Sequence, residues 1–240
     1  MKEFRQVMAT TRGLLSRSRE KEYLMDASIN KYGDPMRAIG TFIASDEPEN
    51  EEKKTPQKPE DMMSERFLKT RTILLTGEID KDLSEKVIRH LLLLESISSE
   101  PITILIDSPG GDVYAGFSIF DMIRFIKAPV RIVGMGLIAS AAALIILAVP
   151  KKMRYGLPNS SYLIHQPLSG IQGVATDIEI HARELEKTKE RLNAIIAEAT
   201  GQSLERVSRD TDRDYWMNAV DASSYGLIEK IISTRDELPL

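Results

Sequence analysis

Three residues of this chain, Ser140, His165 and Asp214, carry side chains that can act together in nucleophilic catalysis. A serine hydroxyl is a poor nucleophile until a base removes its proton, and the base needs a third group that orients it and stabilises its charge. Ser140 lies in a run of small residues, His165 ends a short apolar run, and Asp214 closes an acidic stretch. These settings predict a hydrolase in which Ser140 is the nucleophile, His165 the base and Asp214 the orienting group.

Cleavage of an amide also requires N–H groups that stabilise the negative charge on the carbonyl oxygen. The N–H of Ala141 is one candidate, because it follows Ser140 at the start of a predicted helix, where free donors and the helix dipole favour an anion. The turn 108–111 is the second candidate, because its two glycines let the backbone approach a ligand closely. A glycine pair is also typical of a plain turn between a strand and a helix, but this one ends a predicted central strand, where parallel sheets bind ligands.

The choice of the base rests on the small number of histidines, since the chain has only three. His90 and His181 lie within predicted helices, where we expect them to be surface or boundary residues. His165 lies at the end of a predicted strand, where a single histidine is more often structural than catalytic. The presence of Ser140 and Asp214 in suitable settings is what favours His165 as the base.

The acidic segment 210–214 suggests calcium as an alternative, because its acids alternate as in an EF-hand loop. That loop needs glycine at its sixth position and glutamate at its twelfth, where this chain has Tyr215 and Asp221. We therefore expect neither a metal ion nor another cofactor. Asp212 and Arg213 are expected to form ion pairs, within the chain or between subunits.

The composition excludes several classes of protein. With 240 residues, of which 42% are hydrophobic, the chain can build one α/β domain or two small ones. A net charge of -4 gives no indication of a nucleic-acid-binding surface, and the absence of cysteine excludes disulfides and a thiolate nucleophile. The first 20 residues lack the long apolar core of a secretory signal, so we expect a cytoplasmic protein, with an organellar presequence as the alternative.

Two regions of the chain differ in character. Residues 1–65 form an N-terminal extension, and its last part, at about 45–62, is charged and contains three prolines. Such a stretch cannot bury enough surface to offset the cost of ordering it, so we expect a flexible linker. Residues 66–240 are expected to form the folded domain.

Strands and helices are predicted to alternate after residue 66, which implies an α/β fold with a largely parallel sheet flanked by helices. The predicted strands are 72–75, 102–106, 130–133 and one at Tyr162, and the predicted helices are 81–95, 114–126, 140–147 and a long one from Thr176 to Gly201.

Two local features of these elements carry expectations of their own. Thr176 and Glu179 fit a capping box at the start of the long helix. The uncharged segment 132–150 is nearly long enough to cross a membrane. A tight turn at Gly134–Gly136 is expected to divide that segment into a buried strand and a short buried helix, which argues against a membrane span.

From about Arg66 to its end, the chain closely resembles the proteolytic subunit of the Clp protease, a family of ring-forming serine peptidases. The resemblance is carried by the segments 107–111 (DSPGG), 135–140 (MGLIAS), 157–160 (LPNS), 164–167 (IHQP), 172–173 (QG), 175–183 (ATDIEIHAR), 200–203 (TGQS) and 213–214 (RD). The runs IHQP and ATDIEIHAR are highly specific to that family. We therefore identify residues 66–240 as a Clp peptidase domain by resemblance.

The resemblance implies that Ser140, His165 and Asp214 are the nucleophile, the general base and the third member of a catalytic triad. The resemblance also implies that the N–H groups of Gly111 and Ala141 correspond to those that form the family's oxyanion hole. The implied fold is crotonase-like, and its long helix belongs to a protruding handle that joins two rings. The implied assembly consists of heptameric rings, homomeric or mixed, stacked in pairs around an enclosed chamber. A hexameric AAA+ ATPase would deliver unfolded proteins to it, and neither nucleic acid nor a membrane is an expected partner.

The chain departs from the family pattern beside the predicted nucleophile and at its N-terminus. Ala141 and Ala142 stand where the family usually has methionine and glycine, and Ile138 replaces a usual alanine. Oxyanion stabilisation comes from the backbone and can survive these changes, whereas the substrate pocket can change shape. Residues 1–65 do not resemble the short loop with which the family gates its pore and engages the ATPase. The alternatives are a noncatalytic ring subunit paired with an active paralogue, and a crotonase-type acyl-CoA enzyme, which would not need the triad.

Overall fold

A seven-stranded sheet forms the centre of the domain in the computed structural model, which describes residues 66–67 and 69–238. The predicted extension 1–65 and its linker lie outside the described residues. The strands are β1 (Thr72–Thr76), β2 (Ile102–Ser108), β3 (Val130–Ala139), β4 (Arg154–Gly156), β5 (Ser161–Ile164), β6 (Tyr215–Asn218) and β7 (Lys230–Ile231). The helices are α1 (Lys81–Ile97), α2 (Val113–Phe125), α3 (Ala141–Ile146), α4 (Ala175–Thr200), α5 (Leu204–Asp210) and α6 (Ala219–Tyr225), with 3-10 turns at Lys151–Met153 and Arg235–Glu237.

The order of the strands confirms the predicted α/β class. The strands β1, β2, β3, β4 and β7 are neighbours in that order, and each pair is parallel. The strand β5 pairs in parallel with the last residues of β3, and β6 is the antiparallel partner of β5. Because parallel strands end at the same edge, the residues that follow β2, β3 and β5 lie close together, where such sheets bind ligands.

Helices cover this sheet with their apolar faces. The predicted inner faces of the first two helices are buried at Val87, Leu91, Leu94, Phe117, Phe120, Ile123 and Ile126. Each such side chain contributes about 1.5–3 kcal/mol when it is fully buried. The helix α3 has six residues, all of them buried, and is far too short to be stable alone, so packing holds it in place. None of the helices in residues 66–67 and 69–238 is long and apolar enough to span a membrane.

The predicted tight turn at Gly134–Gly136 is wrong, because β3 continues through the glycines to Ala139. Ile106 of β2 lies opposite Gly134, but Ser108 lies opposite Ile138, so the register shifts within β3. The strand accommodates the extra residues as a bulge, in which Gly136 has a positive φ of 59°. A glycine can therefore bend a strand without ending it, and the sequence pattern does not distinguish the two cases.

The predicted capping box at Thr176 is also wrong, because α4 begins at Ala175 and its N-cap is Val174, with no side-chain hydrogen bond at the cap. The predicted end of this helix is confirmed, since Gly201 adopts the left-handed conformation with φ 77°. The last turns of α4 pack on the core through Ile196, whereas its first turns are exposed, including Ile178 and Ile180. Half of a 26-residue helix therefore extends beyond the domain core.

Candidate active site

The pairing of three strands brings the predicted catalytic side chains together. Strands β3 and β5 pair in parallel up to Ala139 opposite Leu163, so the residues that follow both strands are close. Strands β5 and β6 are antiparallel, with Ile164 opposite Tyr215, which places the residue after β5 beside the residue before β6. Ser140, His165 and Asp214 occupy these three positions, although they are 25 and 49 residues apart along the chain.

Two hydrogen bonds connect Ser140, His165 and Asp214 in series. His165 Nε2 lies 2.8 Å from Ser140 Oγ, and His165 Nδ1 lies 3.0 Å from Asp214 Oδ1. A carboxylate can only accept, so the Nδ1–H donates to Asp214 and Nε2 is left to accept from the serine hydroxyl. The side chain of His165 is 15% exposed and that of Asp214 is 62% exposed. The serine–histidine contact is therefore partly buried, whereas the carboxylate is exposed to water.

The backbone at Ser140 turns sharply from β3 into α3. Ser140 has a φ of 57°, a conformation that costs a non-glycine residue about 1–3 kcal/mol. Its N–H donates to the carbonyl of Leu163 at 2.9 Å, and its carbonyl accepts from the N–H of Leu144 at 3.2 Å. These bonds hold the strained turn, which leaves Oγ facing His165 and places the Ala141 N–H in the first turn of a helix.

The glycine turn after β2 packs directly against this serine turn. A Cβ on Gly110 would lie 2.7 Å from Ser140 Cβ and 3.1 Å from the backbone nitrogen of Ala141. A Cβ on Gly111 would lie 2.3 Å from the carbonyl oxygen of Ile79, and Gly111 has a φ of 147°. Only glycine fits either position, so the two predicted oxyanion donors, Gly111 and Ala141, lie on turns in van der Waals contact.

A group of polar residues that the sequence did not indicate as functional joins the loops carrying His165 and Asp214. The N–H of Gln166 donates to the carbonyl of Thr211 at 2.6 Å, and its side-chain amide donates to the carbonyl of Asp212 at 2.6 Å. The buried hydroxyl of Thr211 donates in turn to Asn193 Oδ1 of α4 at 2.8 Å. Thr211 stands between two aspartates in the sequence, so no local signal indicates that it is buried, and the network is visible only in the structure.

A cavity of about 450 Å³ opens in front of Ser140 and His165. Its walls are mostly apolar, and they include Val113, Ala141, Leu144, Leu185, Leu192 and Ile196. His181, expected to be a surface or boundary residue, is partly exposed at the cavity wall, where its Nε2 lies 2.7 Å from Ser169 Oγ. His90, the other histidine expected at the surface or a boundary, lies partly buried on α1, where burial, followed by the charge of Lys86, lowers its pKa.

Within the acidic segment before Asp214, Asp210 forms ion pairs, whereas Asp212 and Arg213 form none with the described residues. Asp210 forms ion pairs with Arg206 and Arg209 and accepts from the Tyr225 hydroxyl at 3.2 Å. Within the described part of the chain, no salt bridge involves Asp212 or Arg213, so the ion pairs predicted for them are not found among these residues. The described residues also contain no cluster of three or more His, Asp or Glu side chains suited to a metal ion.

The fold and the site define a class: a mostly parallel α/β protein with a hydrogen-bonded Ser–His–Asp set beside an apolar cavity. Comparison with known proteins narrows this class. The family model described as Clp protease matches residues 55–235. ATP-dependent Clp protease proteolytic subunit 2 of Treponema denticola is 60% identical over 191 residues, which cover 79% of this chain and 96% of that protein. The corresponding protein of Borreliella burgdorferi is 51% identical over 172 residues, or 71% of this chain and 87% of that protein.

A solved structure agrees with these sequence matches. A ClpP1 mutant from Listeria monocytogenes superimposes with a TM-score of 0.68 at 50% identity, covering 72% of this chain and 98% of that one. The chain therefore belongs to the Clp protease family, and it is a peptidase of the kind that serves ATP-dependent proteolysis. The predicted Clp-type fold is confirmed, and the length and exposure of α4 are consistent with the predicted handle helix.

Proposed function

We propose that the chain is a serine endopeptidase that hydrolyses peptide bonds with Ser140 as nucleophile, His165 as general base and Asp214 as orienting group. The observation that carries this proposal is the pair of hydrogen bonds in series, 2.8 Å from Ser140 Oγ to His165 Nε2 and 3.0 Å from His165 Nδ1 to Asp214 Oδ1. Both distances lie within the range in which a base can take a proton from a nucleophile.

The proposed reaction follows from this arrangement. Ser140 Oγ attacks the carbonyl carbon of the peptide bond while His165 Nε2 takes the hydroxyl proton and then gives it to the leaving amine. The negative charge on the carbonyl oxygen is stabilised by the N–H groups of Gly111 and Ala141. Water, activated by the same histidine, then releases the acyl group from Ser140. No step requires a cofactor.

We also propose an oligomeric assembly and a delivering partner for this activity. The chain would form heptameric rings, homomeric or mixed, stacked in pairs, and it would receive unfolded proteins from a hexameric AAA+ ATPase. The names of its relatives, which are ATP-dependent Clp protease proteolytic subunits, support this. So does the exposed apolar surface along the first turns of α4, where Val174, Ile178 and Ile180 are 66%, 42% and 53% exposed. Such exposure is typical of a surface that another subunit covers.

Labelling with a fluorophosphonate probe, mapped by mass spectrometry, tests the proposed chemistry. We expect a single adduct on Ser140 and cleavage of an unfolded protein by the full chain. Ser140→Ala should lose both while it assembles like the parent. Ser96→Ala is a matched control, because that hydroxyl is exposed on α1 and donates only to the carbonyl of Leu93. A ring-assembled sample in which Ser140 is not labelled would refute the proposal and favour a noncatalytic ring subunit.

A further inference from the structure

The bulge in β3 lies where β2 and β3 approach the candidate active site. Ile106 is opposite Gly134 and Ser108 is opposite Ile138, so Asp107 alone faces the segment 135–137. Bulges re-aim the residues that follow them and occur often beside active sites. This one precedes two parts of the site, because the glycine turn follows β2 and Ser140 follows β3.

The carboxylate of Asp107 lies inside this bulge. Its Oδ1 accepts a hydrogen bond from the N–H of Leu137 at 2.9 Å. The carboxylate therefore satisfies a backbone donor that the register shift leaves without a partner in β2. A Cβ on Gly136 would lie 2.7 Å from Asp107 Oδ1 and 2.9 Å from its carboxyl carbon. The carboxylate therefore occupies the space beside Gly136, and the positive φ of Gly136 lets the backbone curve around it.

The glycine turn and the turn at Ser140 pack so closely that a small change in the bulge would disturb their contact. A Cβ on Gly110 would lie 2.7 Å from both Ser140 Cβ and the carbonyl oxygen of Ala139. A strand advances about 3.3 Å per residue, so a bulge that relaxed by a fraction of a residue would move Ser140 by about 1 Å against the glycine turn. A displacement of about that size is enough to lower a catalytic rate roughly 100-fold.

We propose that Asp107 is a positioning residue for the reaction. Its carboxylate holds the bulge through the Leu137 N–H, and the bulge aligns Ser140 and the Ala141 N–H with the Gly110–Gly111 turn. Asp107 does not line the cavity and acts only through the backbone. This inference rests on the proposed serine peptidase function.

The test compares Asp107→Ala, which removes the acceptor, with Asp107→Asn, which keeps an acceptor oxygen without the charge. For Asp107→Ala we expect kcat and the rate of fluorophosphonate labelling at Ser140 to fall roughly 10- to 100-fold, with KM within about 2-fold of the parent. Asp107→Asn should keep kcat within about 3-fold. Asp121→Ala, which removes an exposed carboxylate from α2, is the matched control and should equal the parent.

A second variant keeps the test decisive if Asp107→Ala folds poorly. Gly136→Ala adds the Cβ that displaces the carboxylate while Asp107 remains in the chain. Because the positive φ of Gly136 also strains an alanine there, this variant should lower kcat at least as much as Asp107→Ala. The double variant should lose less than the sum of the single variants, because both changes disturb the same contact between Asp107 and Gly136.

Three outcomes would overturn the inference: parent kcat in Asp107→Ala, an equal loss of kcat in Asp107→Asn and Asp107→Ala, or fully additive losses in the double variant. These outcomes are interpreted only when the parent enzyme cleaves peptides and is labelled at Ser140. If the parent does neither, the proposed function has failed, and the inference about Asp107 fails with it.

Discussion

Replacing Arg154 with methionine should destabilise the fold, because Arg154 is a buried cation whose hydrogen-bond partners in the described chain are all backbone carbonyls. The residue is 3% exposed. Burial lowers its pKa to about 10, which leaves the guanidinium charged at neutral pH. Nε donates to the Val149 carbonyl at 2.7 Å and Nη1 to the Ala199 carbonyl at 2.9 Å, with longer contacts of 3.5 Å to the carbonyls of Gly226 and Leu147.

These carbonyls lie at or just beyond the carboxyl ends of three helices. Leu147 is the C-cap of α3, Ala199 lies in the last turn of α4, and Gly226 is the C-cap of α6. Helix ends of this kind have carbonyls without intrahelical donors and a negative partial charge, so a cation between them is favourable. One of these helices, α3, begins directly after Ser140, which connects Arg154 to the backbone that carries the proposed nucleophile.

The expected loss follows from the two short hydrogen bonds. A hydrogen bond to a charged donor contributes about 1.5–3 kcal/mol, and removing the buried charge recovers part of its desolvation cost, so we expect Arg154→Met to lose about 3 kcal/mol. Arg154→Lys should lose less than Arg154→Met, because the ammonium keeps a buried donor and its charge. It should still be less stable than the parent, because one ammonium cannot reach carbonyls on three helices at once. Arg89→Met is the control, because the Arg89 side chain is 75% exposed and its ion pair with Glu85 contributes little.

Urea unfolding, followed by circular dichroism at one subunit concentration, measures these differences, because assembly makes apparent stability depend on concentration. We expect the midpoint to fall in the order parent and Arg89→Met, then Arg154→Lys, then Arg154→Met. A loss of less than about 1 kcal/mol in Arg154→Met would refute the assignment of the two short hydrogen bonds as stabilising contacts.

Three further predictions concern the cavity, the oxyanion donors and the N-terminal extension. Ala141→Met should narrow the cavity, because Ala141 lies in its wall. In this variant, kcat/KM for peptides with a large apolar side chain before the cleaved bond should fall roughly 10-fold or more relative to kcat/KM for peptides with alanine at that position. An unchanged preference would contradict the role of Ala141 in the cavity wall. Gly111→Ala should lower kcat roughly 100-fold, because its Cβ meets the Ile79 carbonyl and displaces the turn, and parent kinetics would remove Gly111 from the proposed site. Deleting residues 1–62 should leave the melting temperature within about 2 °C, and a larger fall in a thermal scan would contradict the proposed domain boundary.

Several elements could be predicted from local signals in the sequence alone. The spacing of Val87, Leu91 and Leu94 predicted α1 and its buried face, and Gly201 predicted the end of α4, because periodicity and a left-handed cap act within a few residues. The types of the candidate catalytic residues were equally visible. Serine, histidine and aspartate each came at a predicted change in chain direction, which suggests chemistry before any geometry is known.

The way in which these elements meet depends on contacts between segments that are distant in the chain. The sequence pattern predicted a turn at Gly134–Gly136, but pairing with β2 extends β3 through it, since contacts with a neighbouring strand outweigh the local preference of glycine. The antiparallel pairing of β5 with β6, which brings Asp214 to His165 across 49 residues, has no local signal. Strand register and buried hydrogen bonds arise from contacts between distant segments. The local pattern therefore indicated the candidate reacting groups, whereas packing set the distances between them.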